Sequence, residues 1–547
     1  MLKVLKRKEE GIAINNQDLS KKFLRGAFIL TISAVFVKIL SALYRIPYQN
    51  IVGDVGFYTY QQVYPFYAFA LVLSTYGFPV VISKLLAELK EDKNAYTQAE
   101  IIIVSTVVLS LVSIVLFLSL FFGAASIADL MNDPLLERSL QLVSLGFLFL
   151  PLVSILKGVF QSEGETVPTA VSQVVEQSVR VGCILLFAFL FYQFGLSLYE
   201  VSEGAFLGSV LGSAAGGIVL LLYYGKCGKK AESPLFTGVR MRKNFMPLMK
   251  MIIGQGLIFS ITSLVMVFIQ FIDALLLYPL LSTNGLEMVE AKQWKGIYDR
   301  GQPLLQLGTS ATIALSLTIV PLISKYKQRQ NLKIVEKYTE LTFRLSFMLG
   351  MAAAVGLFCM IDLVNELLFT NQSGSQALQI LVISILFCSL MMTGMFVLQS
   401  LGNTMISIIF IVIGLLVKFV LMIMLVPEMQ IMGAAISTTA CFMVMAILVM
   451  LYIRRVMKKS MIMNRALLIM VQAAVVMSIV LSVERWIFSG LIESPGRLVL
   501  AVQVLIMVGS GAVVYMYYVI RRAVFSEEEL ALLPLGSKMA KFLPKDE

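Results

Sequence analysis

Two basic and two hydroxyl residues lie on one face of the first apolar stretch of the chain. They are Thr31, Lys38, Ser41 and Arg45, with spacings of 7, 3 and 4 residues. At 100° per residue of an α-helix, these positions fall within about 80° of the circumference. Arginine and lysine bind phosphate and carboxylate groups through charge-assisted hydrogen bonds. The spacing predicts a cationic helix face that binds an anion, and a structural contact with another polar surface is the alternative.

Further ionisable residues interrupt apolar stretches later in the chain. Glu176 and Arg180 are four positions apart, so a buried ion pair that only fixes helix packing is the alternative to a binding role. Lys418 has no acid three or four positions away in its own helix. The predicted anion-binding cavity comprises the cations Lys38, Arg45, Arg180, Arg300 and Lys418 and the polar lining residues Thr31, Ser41, Glu176, Asp299, Gln306 and Ser310.

The sequence lacks the residues of common catalytic and metal sites. It contains no histidine, which excludes imidazole proton relays, Ser-His-Asp triads and histidine-containing metal sites. Its five cysteines are dispersed without a C-x-x-C pair, and no G-x-x-x-x-G-K-[ST] phosphate-binding motif occurs. We therefore predict no catalytic residue, no metal and no cofactor.

The elements that carry these residues are too apolar for a soluble protein. Hydrophobic residues make up 58% of the 547 positions and charged residues 14%, with a mean hydropathy of +0.86. Soluble globular chains contain about 25% charged residues. The apolar residues form runs of about 20, which is the length that crosses a bilayer core as a helix. The sequence predicts an all-α polytopic membrane protein.

Fourteen apolar runs are long enough to be membrane spans. Their approximate bounds are 23–45, 62–83, 98–122, 139–160, 170–193, 203–224, 247–273, 299–324, 339–360, 376–398, 404–427, 431–453, 464–486 and 498–520. Of the 44 lysines and arginines, 32 fall in alternate segments that begin with the N-terminus. Because cytoplasmic loops carry the excess of positive charge, both termini are predicted to be cytoplasmic. The net charge of +11 then reflects topology and inner-leaflet attraction, not nucleic-acid binding.

The two halves of the chain resemble each other. Phe160–Thr166 and Leu398–Thr404 match at an offset of 238 residues, and the same offset relates Arg180 to Lys418. Two copies with six spans each have the same orientation, as in two-lobed secondary transporters. We predict two six-helix lobes in a parallel pseudo-twofold repeat plus two C-terminal helices. The predicted segments are a cytoplasmic N-terminal segment (1–22), an N-lobe (23–224), a basic cytoplasmic linker (225–246), a C-lobe (247–453), spans 13 and 14 (454–520) and a cytoplasmic tail (521–547).

Two further patterns indicate packing. Glycines at 204, 208, 212 and 216 recur every four residues along span 6, and rows of small residues let membrane helices approach closely. We expect this row to pack within the N-lobe, with a dimer interface as the alternative.

Lys250 and Arg344 lie near the predicted cytoplasmic ends of their spans, where Glu340 is an i,i+4 partner for Arg344. We interpret both as structural charges.

Four segments near the N-terminus resemble a known family. They are Leu24-Arg25-Gly26-Ala27-Phe28, Lys38-Ile39-Leu40 to Arg45, Ile51-Val52-Gly53-Asp54-Val55-Gly56-Phe57-Tyr58, and Tyr76-Gly77-Phe78-Pro79 to Ile82-Ser83-Lys84. With the fourteen spans, they are similar to the polysaccharide transporter family, in the SpoVB- and MurJ-like branch of the multidrug, oligosaccharidyl-lipid and polysaccharide exporter superfamily. The resemblance implies a flippase of the bacterial cytoplasmic membrane that moves undecaprenyl-pyrophosphate-linked saccharides, chiefly the peptidoglycan precursor lipid II, to the outer leaflet.

The resemblance also implies roles for individual residues. MurJ-like flippases use cations of the first and eighth helices, to which Lys38, Arg45 and the Tyr298-Asp299-Arg300 segment correspond. Span 2 departs from this pattern, because Gln61 to Ser83 contains no basic residue where MurJ-like flippases have a cavity arginine. Spans 13 and 14 correspond to helices that form a hydrophobic groove for the lipid tail.

Two other functions remain open from the sequence. A drug antiporter of the MATE type would need acids within its spans to bind organic cations, whereas Glu176 is the one acid well inside a span. A non-transporting scaffold for cell-wall synthesis would need no continuous polar cavity. We predict a non-enzymatic flippase whose partners are an anionic lipid-linked saccharide and membrane lipids. Binding of cell-wall synthases, and coupling to Na⁺, H⁺ or the membrane potential, are left open.

The predicted topology is tested by a single cysteine in the linker 225–246, in a variant without the five native cysteines. This loop carries part of the positive charge excess, so it should lie in the cytoplasm. A membrane-impermeant thiol reagent should label it in inside-out vesicles and not in intact cells. Labelling of intact cells would reverse the topology.

Overall fold

The computed structural model is helical along most of its described length. It describes residues 29–30, 32–89, 96–227, 245–457, 464–491, 496–530 and 540–543, and these contain no strand. The predicted segment 1–22 and most of the linker 225–246 lie outside them. The helices are α1 (32–43), α2 (Arg45–Val72), α3 (Phe78–Leu89), α4 (Gln98–Leu130), α5 (Glu137–Ser144), α6 (Leu150–Ser162), α7 (Val167–Gln193), α8 (Leu198–Cys227), α9 (Phe245–Thr283), α10 (Met288–Asp299), α11 (Gly301–Gln328), α12 (Leu332–Phe369), α13 (Ser375–Ser400), α14 (Thr404–Met457), α15 (Asn464–Leu491), α16 (Arg497–Arg521) and α17 (Glu527–Leu530).

The predicted all-α membrane class is confirmed. In the described part of the chain, eleven helical stretches are long and apolar enough to cross a membrane. Two of them, Ile32–Leu89 and Thr404–Met457, each contain two predicted spans. The predicted span 8 corresponds to α11, which is not among the eleven. The structure thus comes close to fourteen spans, and the number itself stays a prediction.

Two long helices contain a residue with a non-helical backbone. Gly53 interrupts α2 with φ 69° and ψ −175°, and Gln430 interrupts α14 with φ 50° and ψ −132°. Glycine adopts positive φ readily because it has no Cβ, whereas such a backbone costs other residues about 1–3 kcal/mol. Pro427, three residues before Gln430, adds a second disruption because it lacks a backbone N–H. Each interruption separates two predicted spans.

The described helices belong to two compact units. Unit 1 comprises residues 1–44 and 62–267, and unit 2 comprises residues 45–61 and 268–547. Compared with the predicted lobes, residues 45–61 belong to unit 2 and residues 247–267 belong to unit 1. Both α2 and α9 therefore contribute residues to both units.

The glycine row of α8 packs against α7 within unit 1. A Cβ atom at Gly204, Gly208, Gly212 or Gly216 would lie only 2.6 to 2.9 Å from the nearest α7 atom. Real Cβ atoms do not approach this closely, so the two helices are in contact because these positions carry no side chain. The expectation that the row packs within its lobe is confirmed.

The C-terminal end of the described chain folds back onto α12. Arg344 lies 3.8 Å from Glu340 on its own helix, as the i,i+4 spacing predicts. Its guanidinium also donates to the carboxylate of Glu529 in α17 and, at 2.9 Å, to the carbonyl oxygen of Val524. The interpretation of Arg344 as a structural charge agrees with these contacts.

Replacement of Gly208 by alanine should destabilise unit 1. The added Cβ would lie 2.9 Å from the backbone nitrogen of Ile184, and overpacking of this kind costs about 1–3 kcal/mol. Gly182 in α7 is a matched control because nothing lies within 4 Å of its Cβ position. Thermal unfolding in detergent should show a lower Tm for Gly208→Ala than for Gly182→Ala, and equal Tm values would contradict the packing argument.

Candidate functional site

The predicted cationic face begins in α1. Lys38 and Ser41 are half-buried, and Arg45, the first residue of α2, is fully buried. Thr31 lies outside the described residues. Lys38 belongs to unit 1 and Arg45 to unit 2. A charged group in hydrocarbon costs about 2.5–3.5 kcal/mol on insertion scales, so both residues need a polar environment or an anion.

In unit 1, Arg180 is surrounded by tyrosines. Its Nη2 donates a hydrogen bond of 3.1 Å to the hydroxyl of Tyr44. The guanidinium carbon lies 4.4 Å from the ring centre of Tyr67 and 5.5 and 5.6 Å from the rings of Tyr44 and Tyr64. Cation–π contacts of a desolvated guanidinium contribute about 2 kcal/mol. These three tyrosines, which sequence reasoning did not select, therefore hold the fully buried Arg180.

Glu176 lies beside Lys157, which is not among the predicted cavity cations. The Nζ of Lys157 is 4.0 Å from Oε2 of Glu176 and donates a hydrogen bond of 3.3 Å to Oγ1 of Thr75. Lys157 is fully buried in α6, five residues before the end of that helix. Since Thr75 belongs to the predicted span 2, Lys157 places a cation beside the span that has none of its own.

In unit 2, Arg300 pairs with Asp54, which follows the non-helical Gly53 of α2. Its Nε and Nη2 donate to the two carboxylate oxygens of Asp54 at 2.9 and 2.6 Å. Its Nη1 donates to the side-chain oxygens of Asn365 at 3.1 Å and Asn371 at 2.9 Å. A bidentate guanidinium–carboxylate pair fixes both groups in one geometry. Because Asp54 follows Gly53, Arg300 positions residues 45–61 within unit 2.

Helix α10 packs directly on the same segment. The Nζ of Lys295 donates to the carboxylate oxygens of Asp299 at 2.7 and 2.6 Å, and both side chains are buried. A Cβ at Gly296, between them in the helix, would lie 2.1 Å from the carbonyl oxygen of Asp54. This close approach requires glycine. Asp299 is therefore engaged by Lys295, which is not among the predicted cavity residues.

Lys418 is held by a buried polar network of α9, α10 and α14. Its Nζ lies 2.7 Å from Oδ1 of Asp273 and donates at 2.6 Å to Oγ1 of Thr438. The hydroxyl of Tyr298 is 2.8 Å from the same Oγ1. All four side chains are buried. Lys418 has no acid three or four positions away on its own helix, and α9 supplies the carboxylate.

The polar residues of α11 are partly used in hydrogen bonds within unit 2. Gln306 and Ser310 are half-buried, and the Ser310 hydroxyl donates to the backbone oxygen of Gln306. Gln302 accepts a hydrogen bond of 3.0 Å from Gln270 of α9. Among the residues that the structure describes, no group of three or more acids or cysteines is placed to hold a metal ion.

The fold and these ionic groups define a class of protein. Ionisable side chains inside membrane helices are typical of substrate and ion pathways. The chain is thus a multi-pass membrane protein of the transporter class. It belongs to the polysaccharide biosynthesis protein family, whose sequence model matches residues 23–327.

Individual relatives agree with this assignment. The chain is 40% identical over 527 residues to the uncharacterized membrane protein YabM of Bacillus subtilis (strain 168), covering 96% of this chain and 97% of YabM. It is 26% identical over 523 residues to the lipid II flippase MurJ of the same organism, covering 91% and 95% of the two chains. A solved structure of lipid II flippase MurJ in an inward closed conformation matches with a TM-score of 0.64 at 15% identity, over 91% of this chain and 97% of that one. The family resemblance and the fold class are confirmed.

The pair of Lys418 and Asp273 should be a large contributor to folding stability. Asp273→Ala leaves a buried ammonium without its carboxylate, and breaking a buried pair in this way costs about 3–5 kcal/mol. The double variant Asp273→Leu/Lys418→Met should recover most of this loss because no charge remains buried.

The matched control is Asp362→Ala. It removes an ion pair with Arg485 whose N–O distance is 2.8 Å but whose side chains are 22% and 44% exposed. Exposed pairs contribute only about 0–1 kcal/mol. Unfolding in denaturant compares the variants, and an equal loss for Asp273→Ala and Asp362→Ala would show that burial of the Lys418 pair carries no special cost.

Proposed function

We propose that this protein is a flippase that moves an undecaprenyl-pyrophosphate-linked saccharide, lipid II in the leading case, across the bacterial cytoplasmic membrane by alternating access. The supporting observation is the pair of cations on the first membrane-crossing stretch. Lys38 is half-buried and Arg45 is fully buried in the stretch Ile32–Leu89, which is long and apolar enough to cross a membrane. The sequence relationship to lipid II flippase MurJ supports the same cargo class.

The two cations suit a pyrophosphate head group. A guanidinium offers a planar set of N–H donors to phosphate oxygens, and an ammonium acts as a compact point charge. These interactions are stronger where water is excluded, since the effective dielectric constant is lower there. The saccharide then meets polar side chains, and no covalent bond is made or broken. Both termini are cytoplasmic in this proposal.

The other predicted cations act in this proposal through protein partners. Tyrosines surround Arg180, Asp54 engages Arg300, and Asp273 engages Lys418. We assign to Arg180, Arg300 and Lys418 the positioning of helices within their own units, and we propose phosphate contacts for Lys38 and for Arg45.

The prenyl tail remains in the lipid phase. Helices α15 and α16, which correspond to the predicted spans 13 and 14, carry large apolar side chains that are more than half exposed in this structure, among them Leu468, Ile479, Leu505 and Val513. Burial of such side chains against an acyl chain is favourable at about 25 cal/mol per Å². These helices therefore suit the tail.

A MATE-type antiporter for organic cations is less well supported. The acids Glu176 and Asp273 lie in membrane-crossing helices, and each faces a buried lysine, Lys157 and Lys418 respectively. A carboxylate that already neutralises an ammonium attracts a cationic drug only weakly. In the flippase proposal, basic groups bind the anionic cargo instead. Transport in this proposal is coupled to Na⁺, H⁺ or the membrane potential.

Lys38→Ala should slow flipping of fluorescent lipid II in reconstituted liposomes by about tenfold or more, because hydrogen bonds to charged groups contribute about 1.5–3 kcal/mol. Lys38→Arg should retain most of the rate because it keeps the charge and the donors. Lys250→Ala is the matched control, since it removes an exposed lysine from another membrane-crossing helix, α9.

Insertion into the liposomes and Tm should be the same for all three variants. A wild-type rate in Lys38→Ala would remove Lys38 from the binding site, and loss of flipping in Lys250→Ala would show that any lost lysine has this effect. Arg300→Ala should also stop flipping, but with a lower Tm because Asp54 loses its partner. Exchanging lipid II for other undecaprenyl-pyrophosphate saccharides, and imposing Na⁺, H⁺ or potential gradients, identifies the cargo and the coupling.

A further inference from the structure

Three segments of unit 2 meet at one end of that unit. They are α10, the turn between α12 and α13, and the interruption of α14. Gly374 in the turn has φ 71°, and a Cβ there would lie 2.3 Å from Cγ2 of Ile297 and 3.3 Å from Cδ1 of Ile431. The three segments are therefore in direct contact around Gly374.

An open pocket of about 420 Å³ lies beside this contact. Its size is within the range of about 300–1,000 Å³ that small-molecule sites occupy. Its polar and aromatic lining comes from all three segments, from α12 and from the start of α13: Trp294, Asp362, Gln372, Ser375, Gln376 and Gln430. None of the residues that line it is a lysine or an arginine.

The lining combines an indole ring with side-chain amides. The half-buried Trp294 is oriented by a hydrogen bond of 3.3 Å from Nε1 to Oε1 of Glu290. The amides of Gln376 and Gln430 are exposed. An amide both donates and accepts hydrogen bonds, as a sugar hydroxyl does, and an aromatic face packs against apolar C–H groups. A sugar ring presents both kinds of surface.

The charge of the pocket does not favour binding of the phosphate end of the cargo. Asp362 is its one carboxylate, and Arg485 donates to it at 2.8 Å from outside the lining. An anionic head group would find no basic side chain in the lining to bind. A neutral, hydroxyl-rich ligand fits these groups better.

The backbone of Gln430 points to a site of function. Its φ of 50° and ψ of −132° are unusual for a residue with a Cβ, and such strain costs about 1–3 kcal/mol. Strained residues of this kind cluster where ligands bind. The strain places an exposed amide at the rim of the pocket.

We propose that this pocket is a saccharide subsite of unit 2 that binds the glycan part of the transported lipid. The proposal rests on the proposed function, because only a glycan-bearing cargo gives the subsite a ligand. The turn between α12 and α13 and the interruption of α14 both fall on the side predicted to be outside. The subsite would thus receive the glycan after it crosses the membrane.

The two tryptophans of the chain provide a direct binding assay. Trp486→Phe leaves Trp294 as the sole indole, and Trp294→Phe leaves Trp486, which is 77% exposed on α15. Tri-N-acetylchitotriose and maltotriose are titrated into each full-length variant in detergent. The expected result is a saturable change in Trp294 emission with at least one trisaccharide and no change in Trp486 emission. No change in Trp294 emission, or the same change in both variants, would overturn the subsite.

A flipping assay with lipid-linked saccharide distinguishes failure of the subsite proposal from failure of the flippase proposal. Trp294→Ala and Gln430→Ala should each slow flipping at least threefold, with Tm unchanged. A wild-type protein that flips no lipid-linked saccharide overturns the proposed function, and the pocket then has no transported glycan to bind even if Trp294 responds to a trisaccharide. A wild-type protein that flips, together with variants that flip equally fast and a silent Trp294, overturns the subsite alone.

Discussion

The high cost of a lone charge in hydrocarbon governs the packing of this protein. Within the residues that the structure describes, several buried bases lie against acids: Lys157 with Glu176, Lys295 with Asp299, Arg300 with Asp54, Arg344 with Glu529, and Lys418 with Asp273. All of these pairs except Lys295 with Asp299 join different helices. Each such pair disfavours other arrangements of the two helices that it joins. A shift of one helix would separate two charges at a place where water cannot replace the lost partner. The ion pairs thus specify which helices are neighbours, while apolar contacts alone would allow many arrangements.

The fold class was predictable from the sequence because it depends on local patterns. Runs of apolar residues identified the helices, and spacings of four residues predicted that the glycine row of α8 packs within its lobe and that Arg344 pairs with Glu340. The partners of Arg300 and Lys418 were not predictable in this way. Asp54 and Asp273 are 246 and 145 residues away from them, and only the packing of distant helices brings them together. Lys157 is not among the predicted cavity cations, and only the packing of α6 against α7 shows that it is buried beside Glu176.

The internal repeat places similar charges in different surroundings. Arg180 and Lys418 are related by the repeat offset, and both are fully buried. Tyrosine rings hold Arg180, whereas a carboxylate and a hydroxyl hold Lys418. The surroundings differ physically, because the quadrupole of a tyrosine ring attracts a cation without changing its charge, whereas the carboxylate of Asp273 cancels the charge of Lys418. The same position of the repeat is therefore stabilised by aromatic rings in unit 1 and by an ion pair in unit 2.

The contact of the C-terminal end with α12 bears on the order in which the protein matures. Arg344 is translated long before Glu529, its partner in α17. Until the ribosome has completed the sequence beyond α16, the guanidinium lacks both Glu529 and the carbonyl oxygen of Val524 and pairs with Glu340 alone among these three. The N-terminal half of α12 is thus among the last parts of the described chain to reach its final contacts. A nascent chain that stopped after α16 would hold the helices up to that point and still leave Arg344 short of two of the partners that it has in the folded protein.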